Sequence, residues 1–176
     1  METFEIELYR ENNLFQKRLF RDYLLRAISA DNEELFKKVV EFIGTQWGVR
    51  RTISNKPILS EEDENSEIDK IESNFDKFAK HLWDNKEKIL NGTFVVNALS
   101  LNANSYESKI CFLLNPCFYK IIFDSHNRKA IGNKDCEYSK WQKEVDVYYE
   151  KTFGKNTYTI EEYFLNDCNL WLKGMN

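Results

Sequence analysis

Tyr106-Glu107-Ser108-Lys109-Ile110-Cys111-Phe112-Leu113-Leu114-Asn115-Pro116, followed after four residues by Ile121-Ile122-Phe123-Asp124-Ser125-His126-Asn127-Arg128-Lys129, decides how the chain is read. A lysine opens the first apolar run. Asn115-Pro116 closes it, because the residue before a proline is driven out of helical backbone angles. The second apolar run ends at Asp124, where a polar, helix-like stretch begins and continues to Gly132. An aspartate at that junction accepts the orphan amide protons of a first helical turn, so Asp124 is expected to cap a helix. Lys109 stands fifteen residues earlier on another helix. Lone charged residues beside apolar segments ordinarily cap or face water. Two of opposite sign, joined by the buried connector Ile121 to Phe123, also form a site-like arrangement.

Ser108 to Pro116 followed by Ile121 to Ala130 resembles the core of the helix-hairpin-helix DNA glycosylase superfamily. More narrowly, it is similar to a short bacterial 8-oxoguanine DNA glycosylase-like branch. The C-terminal Ile160-Glu161-Glu162-Tyr163-Phe164-Leu165, ending Leu170-Trp171-Leu172-Lys173-Gly174, resembles the end of that branch. In the superfamily a lysine begins the helix after a hairpin and is the amine nucleophile that displaces the base, while an aspartate at a later helix start assists. The resemblance implies catalytic roles for Lys109 and Asp124. It further implies a DNA partner, contacted by Asn104 and Ser105 at the hairpin and by His126, Arg128 and Lys129 beyond Asp124, with neither cofactor nor metal. Superfamily hairpins carry glycines before the lysine, so that backbone amides approach a phosphate. Here the residues are Asn102-Ala103-Asn104-Ser105. Asparagine tolerates left-handed angles, so a tight turn survives, but the room that glycine gives a phosphate does not.

A chain of 176 residues is long enough to bury a real core and is read as one domain, a mainly α-helical bundle. Its net charge of -4 does not advertise nucleic acid, so binding DNA requires a local basic face. From Arg10 to Lys56 ten lysines and arginines stand against six acids, a balance of +4, and Arg50 and Arg51 are the expected phosphate contacts there. An ordinary solvated helix flank is the competing reading. Cys111, Cys117, Cys136 and Cys168 form no C-x-x-C pair, and three of the four sit in or beside apolar runs, so they read as buried free thiols rather than disulfides or zinc ligands. Neither a signal peptide nor an apolar span of ~18 residues is evident, so the chain is expected to be cytoplasmic, with no membrane partner.

Along the chain, Phe4, Ile6 and Leu8 alternate with charged residues at a strand period. Leu14 to Ala30 reads as an amphipathic helix with a basic flank. Asp31, three residues before Glu34, has capping-box spacing and opens a helix that Gly44 is expected to end. Ser60 to Glu67 is an acidic run, expected to be a mobile loop. Ile68, Ile71, Phe75, Phe78 and Leu82 predict a long helix reaching Leu90, terminated by Asn91-Gly92. Thr93 to Leu101 is too short and too continuously apolar for periodicity to decide; helix is preferred because its flanks are helical, with a small strand pair near Phe94 to Leu99 or Phe4 to Leu8 as the alternative. Tyr138, Trp141, Val145 and Tyr148-Tyr149 mark a helix before Phe153-Gly154. Thr159 and Glu162 repeat the capping-box spacing before a closing helix whose aromatic stripe reads as core. His81 reads as a packed or exposed residue rather than a ligand.

A lysine with a pKa near ~10.4 is a nucleophile only when its environment favours the neutral amine, and burial against Phe112 and Leu113 would do that. A nearby Asp124 carboxylate pushes the other way. The implied substrate base would be flipped into a pocket, where aromatics such as Trp141 or Phe112 could stack on it. Two function classes stay open: excision of a damaged or modified base through a lysine Schiff base, and a non-catalytic helical module that binds a protein or a small ligand.

Overall fold

The computed structural model describes residues 3–47, 75–96, 104–132, 138–154 and 158–175. The first helix, α1 (Thr3–Ser29), begins in the segment whose alternation suggested a strand and runs straight through Asn12-Asn13. Phe4 and Leu8 are exposed, so the alternation matches no buried face. The inward face is instead Leu14, Lys17, Phe20, Leu24 and Ala27, spaced by three and four residues. A single strand with nothing to pair with leaves its backbone unsatisfied, whereas a helix bonds internally.

α1 closes at Asp31, whose φ of 46° turns the chain, and α2 (Glu33–Gln46) starts one residue later than the capping-box spacing suggested. Asn32 is the cap, its side-chain oxygen accepting from the Leu35 amide at 2.9 Å. Gly44 does not end α2. It lies buried inside the last turns because a Cβ there would stand 2.2 Å from the Tyr106 hydroxyl, which donates to the Val40 carbonyl. The glycine serves close packing rather than termination.

α3 (75–84) and α4 (Lys86–Leu90) replace the expected single helix, broken at Asn85, whose side chain donates to the His81 carbonyl at 2.9 Å. Asn91-Gly92 ends this pair, with Gly92 at φ 69°. Residues 93–96 are not helical: Phe94 and Val96 are buried while Val95 is exposed, an extended alternation, and the Tyr119 hydroxyl fixes the Phe94 carbonyl at 3.0 Å. The preference for helix over that stretch is therefore corrected for its first half, and the rest lies outside the described residues. No strand occurs among the described residues. The start of the helix at Ile68, the acidic run 60–67, Cys136 and the Asn102-Ala103 half of the hairpin also fall outside them.

α5 (Asn104–Leu114) is the central helix, buried without interruption from Tyr106 to Leu114. Asn115 stops it and at once caps α6 (Pro116–Tyr119), accepting from the Phe118 amide at 3.2 Å while donating to the Leu90 carbonyl at 2.9 Å. The connector Ile121 to Phe123 is buried as expected and leads to α7 (Ser125–Ile131), then α8 (Tyr138–Phe153) and α9 (Ile160–Met175). Thr159 and Glu162 close the expected capping box: the Thr159 amide donates to the Glu162 carboxylate at 2.7 Å, and the Glu162 amide to the Thr159 hydroxyl at 3.2 Å. α9 packs on α7, α1 and α6, and α1 packs on α2 and α5, so the chain is a mainly α-helical bundle. Gly174 lets α9 lie against α7, since a Cβ there would meet the His126 carbonyl oxygen at 2.0 Å. No described helix is long and apolar enough to cross a membrane.

Candidate active site

Lys109 and Asp124 reach the same cavity. It measures about 340 Å³, within the ~300–1,000 Å³ of small-molecule pockets. Lys109 projects from the second turn of α5 and is buried, its Nζ donating to the Ser105 hydroxyl at 3.0 Å. Asp124 is the N-cap of α7, as its sequence position suggested, with Oδ1 accepting from the Asn127 amide at 2.8 Å. Between them, the Phe123 amide donates to the Ser108 hydroxyl at 3.0 Å, which ties the Asp124 connector to the residue preceding Lys109.

Burial dominates the electrostatics of both groups. It pushes the Lys109 ammonium below its ordinary value, against the pull of Asp124 and Asp167. It pushes the Asp124 carboxyl up, with Lys109 and the Asn127 amide pulling back and Asp167 adding to the rise. Each group is driven toward its uncharged form, the form in which an amine is a nucleophile and a carboxyl group a proton donor.

A second lysine and a second aspartate line the same cavity, and neither was singled out from the sequence. Lys17 of α1 pairs with Asp167 of α9 at 2.8 Å, and both side chains are buried. Lys17 also donates to the Cys168 sulfur at 3.0 Å and to the Phe164 carbonyl at 3.4 Å. Burial alone would lower the Lys17 ammonium, but Asp167 and Cys168 outweigh it and leave its pKa raised. Asp167 accepts through Oδ1 from the Ile122 amide and the Asn127 side chain, each at 2.9 Å. A signal for both residues was present in the sequence: each is charged yet falls on the apolar face of its helix, Lys17 between Leu14 and Phe20, Asp167 between Phe164 and Leu170. Lysine and aspartate are almost never buried unless paired.

The cavity's aromatic side chains differ from those expected. Trp141 and Phe112 are fully buried in the core, where the Trp141 indole donates to the Ile121 carbonyl at 3.3 Å and Phe112 packs on Phe164, so neither can stack on a ligand. Tyr9, Trp47 and Trp171 line the cavity instead. Trp171 stacks on Tyr9 with ring centroids 4.9 Å apart, and His126 lies at 4.8 Å from it. The remaining lining is largely amide, from Asn12, Asn13, Gln16 and Gln46, with Gln16 accepting from the Trp47 indole at 2.9 Å.

Among the expected DNA contacts, Ser105 holds Lys109, and His126 packs against the cavity residue Trp171. Asn104 is half-buried at the start of α5. Arg128 lies with its guanidinium 4.7 Å from the Phe123 ring centre, and Lys129 is exposed on α7. None of Asn104, Arg128 and Lys129 lines the cavity. Arg50 and Arg51 lie outside the described residues. Cys111 and Cys168 are buried free thiols, whereas Cys117 is free but exposed. His81 is packed against Phe94 and stands 3.3 Å from the Glu107 carboxylate. No described group of three or more His, Cys, Asp or Glu side chains is arranged to hold a metal ion. Neither a known protein family, a characterised protein nor a solved structure matches this chain.

Proposed function

We propose that the protein is a DNA glycosylase-like enzyme that removes a damaged or modified base, with Lys109 as the amine nucleophile and Asp124 as the assisting acid. The single observation that supports it is the convergence of a buried, charge-averse lysine and a helix-capping aspartate on one cavity. In this reading the Lys109 nitrogen bonds to the sugar carbon C1′. The glycosidic C–N bond breaks with its electron pair going to the base, which takes the proton shed by the attacking nitrogen. The ring oxygen then leaves C1′, Asp124 supplies its proton, and a Schiff base remains on Lys109. The ionised Asp124 faces the positive charge of that Schiff base.

Borohydride reduction tests it, because a Schiff base is reducible: a covalent protein–DNA adduct is expected with a duplex carrying the right lesion. DNA affinity is expected to fall steeply with salt, as phosphate contacts require. Neither adduct nor salt-sensitive binding across a broad panel of damaged and modified duplexes would sink the reading. One observation favours a second class. Among the described residues, the amide and aromatic lining offers no cation besides the two lysines, which suits an uncharged small ligand and a non-catalytic binding role. Saturable binding of a free nucleobase or similar planar ligand, with no adduct, would select it.

A further inference from the structure

Asp167 is placed for more than holding α1 to α9. A buried ion pair is commonly matched or surpassed by apolar packing of the same volume, so stability alone does not call for Lys17 and Asp167 in the interior. A second unfavourable feature sits beside them. The Asn127 side chain must direct Nδ2 at the Ile122 carbonyl, 3.0 Å away, and at Asp167, 2.9 Å away, which leaves its buried Oδ1 without a hydrogen-bond partner among the described residues. What these groups jointly hold is the turn that carries Asp124. One oxygen of Asp167 gathers the Ile122 amide and the Asn127 side chain, so it grips the connector before Asp124 and the helix after it. The other oxygen takes Lys17. On the α5 side Ser108 grips Phe123, leaving Asp124 fixed from both neighbours.

We infer that Asp167 is the positioning residue of this site: it holds residues 122 to 127 so that Asp124 faces the cavity that Lys109 enters, and Lys17 binds its other oxygen and anchors it to α1. The effect on activity rests on the function proposed above, whereas the positioning is measurable without it. Two neutral double variants separate the acceptor from the charge. Lys17→Met with Asp167→Asn removes the ion pair but keeps an oxygen for Ile122 and Asn127; Lys17→Met with Asp167→Leu removes both.

Amide hydrogen exchange of the Asn127 N–H, which is bonded to Asp124, gives the readout. In the Leu variant it is expected to exchange faster by about tenfold or more while the amides of α2 and α5 keep their protection, and the Asn variant is expected to stay near the wild type. Where adduct formation occurs, the Leu variant should lose its maximal rate with little change in the half-saturating DNA concentration, and the Asn variant should retain most of it. Unchanged Asn127 protection in both variants, equal loss in both, loss spread over all helices, or a Leu variant that forms adduct at the wild-type rate would each overturn the proposal. If the wild type gives neither adduct nor salt-sensitive DNA binding while the exchange pattern holds, the glycosylase reading falls and the positioning role stands.

Discussion

Lys17–Asp167 and Lys109–Asp124 are the same two residue types in the same cavity, and their surroundings give them opposite characters. Lys17 donates to a carboxylate, a thiol sulfur and a carbonyl, and its charge is held despite complete burial. Lys109 donates to a hydroxyl, which does not repay the loss of water, and its charge is disfavoured. Asp167 is likewise saturated, by two N–H donors and an ammonium, whereas one oxygen of Asp124 is spent on capping and the group is pushed toward protonation. Partner number, more than burial, separates the couple that ties α1 to α9 from the couple proposed to react.

Four measurements would break or sharpen that contrast. The largest effect is expected from Lys109→Gln, which should reduce the borohydride-trapped adduct by about a thousandfold or more while the protein stays folded, since a nucleophile has no substitute. Adduct formation surviving that change would move the chemistry away from Lys109. Next, Lys17→Met leaves Asp167 buried and unpaired and should cost about 3–5 kcal/mol of stability, read from the urea midpoint. A loss near zero would erase the distinction between the couples.

Asp124→Asn should slow base release by about a hundredfold. Its effect on stability should stay within ~0.5 kcal/mol, because asparagine caps a helix about as well as aspartate. Stability and activity falling together would instead make Asp124 a structural cap.

The smallest effect is in the alkaline limb of stability. Because folding lowers the Lys109 pKa, the unfolded chain binds the extra proton between that lowered value and 10.5, and stability should rise as pH climbs through this window. Lys17 has the opposite sign: its contribution is complete below 10.5 and is lost as pH rises through its raised folded value. Lys109→Gln should flatten the rise without touching the loss, a change of about 1 kcal/mol per unit of pKa difference, visible in urea titrations at a series of pH values. A rise that persists in Lys109→Gln would assign it to another group.

Local signals carried most of the helical architecture. The three-and-four spacing, Asn115-Pro116, the Thr159/Glu162 box and Asp124 before a polar helix were each legible because a few neighbouring residues decide them. The misses share a cause. Gly44 reads as a stop unless Tyr106 is known to lie over it, and Phe4, Ile6 and Leu8 read as a strand unless the lack of a partner strand is known. The break at Asn85 likewise depends on a side chain turning back to bond the His81 carbonyl.

By itself, then, the sequence determined a helical chain, since capping and amphipathic periodicity act over a turn or two of helix, whereas Lys109 and Asp124 were nominated as a site through the resemblance that residues 108–116 and 121–130 carry. Only the tertiary structure decided that Lys17, Lys109, Asp124 and Asp167 line one cavity, that Tyr9, Trp47 and Trp171 rather than Phe112 and Trp141 do so with them, and which lysine keeps its charge. Burial and hydrogen-bond partners come from segments as far apart as Lys17 and Asp167, and the free energy of an ionised group follows those partners rather than its neighbours in the chain.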